Sequence, residues 1–359
     1  MALATSEVDL SRLFSVEEFE AIARERLPEA AYVYVAGAAG AGRAARANRE
    51  AFERWTFLPR VLVDVSARSL ETTVLGSRVS SPVLIAPYSQ QALLHPQAEV
   101  ATARAASAAG SLMGVSTGAN LALEEIASAA DCPLWFQPYL DEDRGLMREM
   151  AERAAAAGYV AICLTVDAPV GGWREGEMRH RAVLPPGFGW ANMPERLSQP
   201  GAGRWLNGSG WDWDTLDWMR SATPLPIVLK GVVAPADARL AVEHGAAAVV
   251  VSNHGGRQLD DTIGTLDALP GVVEAVDGRI EVLLDGGIRR GTDVLKALAL
   301  GARAVLIARA AAWGLAVGGQ AGVERVLALI NGELSSAMAI AGAPTVDRIS
   351  RELLVRRPT

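Results

Sequence analysis

The sequence predicts an α/β protein, a (β/α)8 barrel of the TIM type, with a helical segment ahead of it and a long lid-like loop after the fourth strand. Three observations lead there. Eight apolar runs of strand length alternate with segments patterned as helices. No dinucleotide-binding fingerprint of an open, doubly wound sheet lies among them. Polar or charged residues repeatedly end the apolar runs, where barrel enzymes keep their chemistry.

The strand-like runs are 83–86, 112–116, 134–136, 161–165, 227–230, 247–252, 282–285 and 304–307. Each is short, continuous and apolar, as expected of parallel strands buried on both faces. Helix-like segments at 98–109, 123–129, 143–157, 235–244, 262–276 and 292–300 separate most of them. Residues 15–54 also read as helices, opened by a capping box of Ser15 with Glu18 and interrupted at Pro28. They would close or flank the barrel, so residues 1–80 are taken as an N-terminal helical segment of one domain spanning 1–359. The patch Gly37-Ala-Ala-Gly40-Ala-Gly42 has G-x-x-G-x-G spacing rather than G-x-G-x-x-G, which argues against a nucleotide loop. Residues 184–223 are rich in Pro, Gly and Trp, with Trp190, Trp205, Trp211, Trp213 and Trp218 among them. A connection that long in a compact domain is usually functional, and a mobile lid over the site is expected.

Composition narrows the class. The 359 residues are 50% hydrophobic and 21% charged, which suits a globular protein with a full core. A formal net charge of −7 gives little support to nucleic acid or an anionic membrane as partner. No run of about 18 apolar residues suggests a span, and no secretory signal is evident. The only cysteines, Cys132 and Cys163, read as buried free thiols. A cytoplasmic protein is expected.

The chemistry centres on residues 247–260, AAVVVSNHGGRQLD. A β-branched run ends in Ser252, Asn253, His254, paired glycines and Arg257. His exchanges protons near neutral pH and Arg holds a carboxylate bidentately. Together they suggest proton abstraction from a small carboxylic acid. Ser116, Gln137, Tyr139, Thr165, Asp167, Lys230, Asp285 and Arg289 end other strands, and Arg309 ends the eighth. Such converging polar groups suggest a polar ligand. Asp285-Gly286-Gly287 leads past Arg289 and Arg290 into a helix N-terminus, a pattern that favours a phosphate, with Arg309 as a second cation. Lys230 is open to three roles: Schiff base, stabiliser of an anionic ring, or partner of an Asp. His244 at a helix C-terminus reads as structural. His95 and His180 lack metal-ligand spacing, and no catalytic metal is expected.

The stretches Asn48-Arg49, Pro59-Arg60, IAP (85–87), HP (95–96), FQPY (136–139), LTVDAP (164–169), KGV (230–232), SNHGGRQLD (252–260) and LDGGIRRGTDVLKALALGA (284–302) carry a resemblance. On them the chain resembles the FMN-dependent 2-hydroxy acid oxidase and dehydrogenase family: glycolate oxidase, lactate oxidase, mandelate dehydrogenase and hydroxymandelate oxidase. The resemblance implies His254 as base, with Asp167 on its other nitrogen. It implies Arg257 on the substrate carboxylate, helped by Arg174 and Tyr34, and Tyr139 on the substrate hydroxyl. Lys230, Ser116, Gln137 and Thr165 would meet the flavin ring, and Asp285 the ribityl chain. Gly287, Arg289, Ala308 and Arg309 would meet the phosphate, with Pro87, Tyr88, Ser89 and Ser252 also at the cofactor. It further implies oxidation of an (S)-2-hydroxy acid to the 2-oxo acid, O2 as re-oxidant, and a homotetramer.

The chain departs from the family at several positions. Tyr88-Ser89 stands where Thr-Ala or Thr-Gly is common, which leaves the re-oxidant open. Gly118 stands where glycolate oxidase carries a bulky Trp, so an enlarged pocket and an aryl substrate are expected. Ala308 replaces a glycine, and 37–42 lacks a frequent acidic residue. The alternatives are a dehydrogenase with another acceptor, an oxidative decarboxylase of the lactate monooxygenase kind, and an idle flavin-binding barrel.

Overall fold

The computed structural model describes residues 8–139, 143–193 and 210–357. Eight parallel strands close into a barrel: β1 (Val83–Ile85), β2 (Met113–Ser116), β3 (Leu134–Gln137), β4 (Ala161–Thr165), β5 (Ile227–Val232), β6 (Ala248–Val251), β7 (Glu281–Asp285) and β8 (Ala304–Ile307). They pair in chain order, with β8 returning to β1. All eight coincide with the predicted runs to within a residue or two. β-Branched and aliphatic side chains on both faces force burial on both sides, which a closed barrel inside a ring of helices provides.

Alternation along the strands divides the core in two. Leu84, Leu112, Trp135, Cys163, Val228, Val250, Leu283 and Leu306 fill the barrel interior. Val83, Ile85, Met113, Phe136, Ile162 and Leu229 face outward onto the helices. A fully buried aliphatic side chain stabilises by roughly 1.5–3 kcal/mol, so this double layer dominates the folding energy. A two-stranded hairpin, Thr72–Val74 with Ser77–Val79, packs Val74 and Val79 on the interior cluster.

Three helices precede the barrel: α1 (Val16–Arg26), α2 (Glu29–Ala36) and α3 (Arg43–Glu53). Ser15 Oγ accepts from the Glu18 amide while Glu18 Oε2 accepts from Ser15 Oγ and the Phe14 amide, as the capping box predicts. The N-terminal segment is not wholly helical, because residues 55–57, 72–74 and 77–79 are strands. Eight further helices follow the strands in turn, with one short turn, α7 (Glu175–Arg179), inserted after β4. They are α4 (Ala98–Ala108), α5 (Leu123–Ser128), α6 (Arg144–Ala156), α8 (Trp213–Ala222), α9 (Pro235–Glu243), α10 (Thr265–Val276), α11 (Gly291–Ala299) and α12 (Arg309–Ala341).

The expected lid at 184–223 is in part regular structure. Trp211 and Trp218 pack against one another with their rings tilted by 45° under Arg144, and Trp213 stacks on His244. Trp205 lies outside the described residues. The glycine-rich patch at 37–42 is a turn between α2 and α3, and Asp260 fills its anion-binding geometry: its carboxylate accepts from the amides of Ala41 and Ala44. Among the described residues, no helix is long and apolar enough to cross a membrane.

Candidate active site

A cavity of about 330 Å³ lies at the carboxyl ends of the strands. Tyr34, Tyr139, Arg174, Lys230, His254 and Arg257 stand on its wall, as do Pro87, Tyr88, Ser89, Ser116, Asp285, Gly287, Arg289, Ala308 and Arg309. Residues spread over almost the whole sequence therefore converge on one place.

His254 follows β6 in a constrained turn. Its φ is +57°, and Gly255 (+64°) and Gly256 (+77°) continue in the same left-handed region. A non-glycine residue there is strained, and such strain persists where surrounding contacts over-determine it. Ser252, fully buried, supplies two of them: its hydroxyl accepts from the His254 amide (3.1 Å) and from Lys230 Nζ (3.1 Å). His254 Nδ1 lies 3.1 Å from Asp167 Oδ1, just after β4. Gly231 of β5 makes room for that carboxylate, since a Cβ there would sit 2.6 Å from Asp167 Cβ. An Nδ1–H given to a carboxylate leaves the Nε2 lone pair available, the tautomer a base needs. Burial pushes the His254 pKa down, outweighing the opposing pull of Asp167. Burial pushes Asp167 up, but the His254 and Lys230 charges hold it below its ordinary value. The Tyr139 ring stacks on the imidazole at 6.4 Å, and burial raises its phenol to about 12, so it stays a hydroxyl donor.

The remaining groups test the fit of a flavin nucleotide. Gln137 Nε2, Thr165 Oγ1 and Asp285 Oδ1 are buried without a hydrogen-bond partner among the described residues. Unsatisfied buried polar atoms are costly and point to a missing ligand. Ser116 Oγ donates to Gln137 Oε1 (3.0 Å), which leaves the amide nitrogen to donate elsewhere. Register places Ser116 beside Gln137 and Thr165 beside Lys230. Lys230 Nζ stands 3.1 Å from Asp285 Oδ2; burial disfavours its charge, but Asp285 and Asp167 together raise its pKa. A fixed ammonium beside unsatisfied amide and hydroxyl groups suits a ring that becomes anionic.

Two buried guanidinium groups lack a carboxylate partner among the described residues. Arg309 donates to the carbonyls of Val35 (2.9 Å), Gly255 (2.9 Å) and Gly37 (2.7 Å). Burial, with Arg257 and Arg289 nearby, lowers its pKa to about 9. Arg289 donates to the Ile288 carbonyl and is likewise lowered by burial. This is a site awaiting an anion. The N-terminus of α11 is not its centre, contrary to the sequence expectation. Asp293 accepts from the Arg289 and Arg290 amides, and Glu333 from that of Gly291. The helix N-terminus on the cavity wall is that of α12, through Ala308, Arg309 and Ala312. Ala308 has φ −109°, so its methyl group causes no backbone strain. A phosphate cradle, a polar ring site and a cation between them fit FMN.

Two expected placements need correction. Ser252 supports Lys230 and His254 from below and is absent from the cavity wall. Gly118 is also off the wall: a Cβ there would meet Ser89 Cβ at 2.9 Å, so Ser89 stands between it and the cavity. Among the wall residues that sequence reasoning did not assign to the site are Glu177 and Trp190. Trp190 is buried, and the next amide, Ala191, donates to Ala119 O beside Gly118. Its place in a Trp-rich insertion was the available signal. Glu177 meets Arg174, three residues before it, and Arg257, which is distant in the sequence, so the local pattern offered only half of the bridge.

Known proteins give the same account. A model of FMN-dependent dehydrogenases matches residues 23–356. An L-lactate oxidase of Nostoc sp. is 48% identical over 96% of this chain and 99% of its own. A glycolate oxidase of Spinacia oleracea is 44% identical over 94% of each chain. A solved structure of mandelate oxidase with (S)-4-hydroxymandelic acid superposes with a TM-score of 0.90 at 39% identity, covering 96% of this chain and 99% of that one. The chain belongs to the FMN-dependent dehydrogenase family, the flavoenzymes that oxidise 2-hydroxy acids.

Proposed function

We propose that this protein oxidises an (S)-2-hydroxy acid with a bulky or aryl side chain, of the mandelate or 4-hydroxymandelate kind, to the 2-oxo acid. The carrying observation is that His254, paired through Nδ1 with Asp167, lines the same cavity as Arg257, Arg174 and Tyr139. Arg257 and Arg174 bind the substrate carboxylate, and Tyr34 closes that end. The Tyr139 hydroxyl holds the substrate hydroxyl, and His254 Nε2 takes a proton while Asp167 stabilises the resulting imidazolium. Gln137, Thr165, Ser116 and Lys230 hold the FMN ring, Asp285 the ribityl chain, and Gly287, Arg289, Ala308 and Arg309 the phosphate, with Pro87, Tyr88 and Ser89 beside it. FMN, when bound, would supply the two-electron acceptor, with O2 as the proposed re-oxidant giving H2O2. Trp190, Tyr34, Tyr88 and Tyr139 give the cavity the aromatic walls that favour an aryl substrate. The assembly is proposed to be a homotetramer, after the family, acting in the cytoplasm.

The test is flavin absorbance during anaerobic addition of (S)-mandelate to the purified yellow protein. Bleaching, then recovery in air with one equivalent each of benzoylformate and H2O2, is expected. Benzoic acid and CO2 in their place would make it a monooxygenase, and a bleached protein that air does not restore would make it a dehydrogenase. His254→Ala slows bleaching by about 10²–10⁴-fold, the usual contribution of a positioned base. An unaltered rate would mean that His254 is not the base, and a yellow protein that no 2-hydroxy acid bleaches would be an idle flavin-binding barrel.

A further inference from the structure

The two arginines assigned to the substrate carboxylate are already engaged. Arg257 Nη1 donates to the carbonyls of Tyr34 (2.7 Å) and Gly37 (3.0 Å), and Nη2 donates to Glu177 Oε1 (2.8 Å). Arg174 Nε donates to the Arg257 carbonyl (2.9 Å) and Nη2 to Gln258 Oε1 (2.8 Å), while Nη1 lies 3.5 Å from Glu177 Oε2. The two oxygens of Glu177 thus bridge two guanidinium groups, as the carboxylate of a 2-hydroxy acid would. Both side chains are partly exposed, Arg257 at 15% and Glu177 at 24%, but Arg257 is also held by two carbonyls, so it stays in place while Glu177 can withdraw toward solvent. Glu177 sits on α7, a turn of five residues packed against α2 and preceded by the exposed Trp173.

We infer that Glu177 is a specificity-determining residue, a tethered carboxylate that competes with the carboxylate of the substrate for Arg257 and Arg174. Substrate exchanges with it, and the displaced Glu177 stays near the cavity as a fixed negative charge. One carboxylate on the two guanidinium groups is replaced by another, so the exchange leaves neither of them unpaired. The remaining charge disfavours a second carboxylate on the ligand. The ligand class is therefore narrowed to 2-hydroxy and 2-oxo monocarboxylates with uncharged side chains. This rests on the reading of Arg257 and Arg174 as the carboxylate site.

The test is calorimetric titration of the FMN-loaded protein with benzoylformate, which binds without turnover. Glu177→Gln is expected to tighten binding about fivefold, the worth of a partly exposed ion pair. Glu177→Ala should act in the same direction. Glu175→Gln is expected to change nothing, since Glu175 pairs with the exposed Arg179 on the same turn. Titration with 2-oxoglutarate should show a larger gain in Glu177→Gln than benzoylformate does. Binding that is unchanged or weaker in both Glu177 variants would overturn the competition and make Glu177 a support that orients Arg257. Benzoylformate binding that is indifferent to Arg257→Met would instead overturn the carboxylate site itself, and the competition with it.

Discussion

Two neighbours act on His254 in opposite directions. Burial disfavours the imidazolium most, and the Asp167 carboxylate partly restores it; the net pKa lies below the ordinary 6.5. The base is the neutral form, so activity holds as pH falls until the imidazole protonates. The acid limb of kcat/KM is therefore expected below pH 6.5, read from a pH–rate profile on (S)-mandelate. Asp167→Asn removes the neighbour that raises this pKa, so the limb should move further to acid. It also removes the charge that stabilises the imidazolium, so the plateau should fall by about 10²-fold or more. An acid limb that moves to higher pH in this variant would refute the pairing. Asp167 and His254 were both legible in the sequence because each ends a recognisable apolar run. Glu177 was not, because its partner Arg257 lies eighty residues away and their meeting depends on how α7 packs.

The strands were legible as elements because parallel strands buried on both faces leave continuous apolar runs, as 161–165 and 247–252 do. The connections were not. The segment after β4 reads as irregular from its Pro and Gly content, yet α8 forms there because Asp212 and Thr215 cap it and Leu216 and Met219 are buried. Gly118 misled for a related reason: composition reports the missing side chain but not that Ser89 stands in its path. Contacts between elements carry two predictions. Gly256 joins the turn after β6 to α3, where a Cβ would collide with the Ala45 backbone while φ is +77°. Gly256→Ala should cost at least about 1–3 kcal/mol in denaturant unfolding. In α4, Glu99 is fully buried; its Oε1 accepts from the Asn120 amide and its Oε2 has no hydrogen-bond partner among the described residues. Burial raises its pKa from 4.5 to about 7. The folded state thus holds this proton more tightly than the unfolded one, a stabilising effect complete below pH 4.5 and lost as pH rises through about 7. A shift of this size corresponds to on the order of 3 kcal/mol. Glu99→Gln should flatten the stability profile over that window, and an unchanged slope would show that Glu99 titrates normally.

The whole molecule carries a net charge of −7, yet its central cavity gathers Arg174, Arg257, Lys230, Arg289 and Arg309. Glu177, Asp167 and Asp285 offset the first three, whereas no carboxylate among the described residues forms an ion pair with the last two, and Glu20 acts on them only from a distance. Uncompensated buried cations weaken a folded chain, and an anion that binds only the folded state restores the loss by mass action. FMN should therefore stabilise the protein through its phosphate as well as through its ring. Thermal unfolding of the apoprotein separates the two contributions. At a hundredfold excess over its dissociation constant, FMN should add about 2.7 kcal/mol. At the same concentration riboflavin, which offers the ring without the phosphate, should raise the melting temperature far less. Inorganic phosphate alone should give a small rise, and Arg309→Ala should abolish that rise and most of the difference between the two flavins. Equal stabilisation by FMN and riboflavin at neutral pH would mean that these arginines serve the fold and not the phosphate.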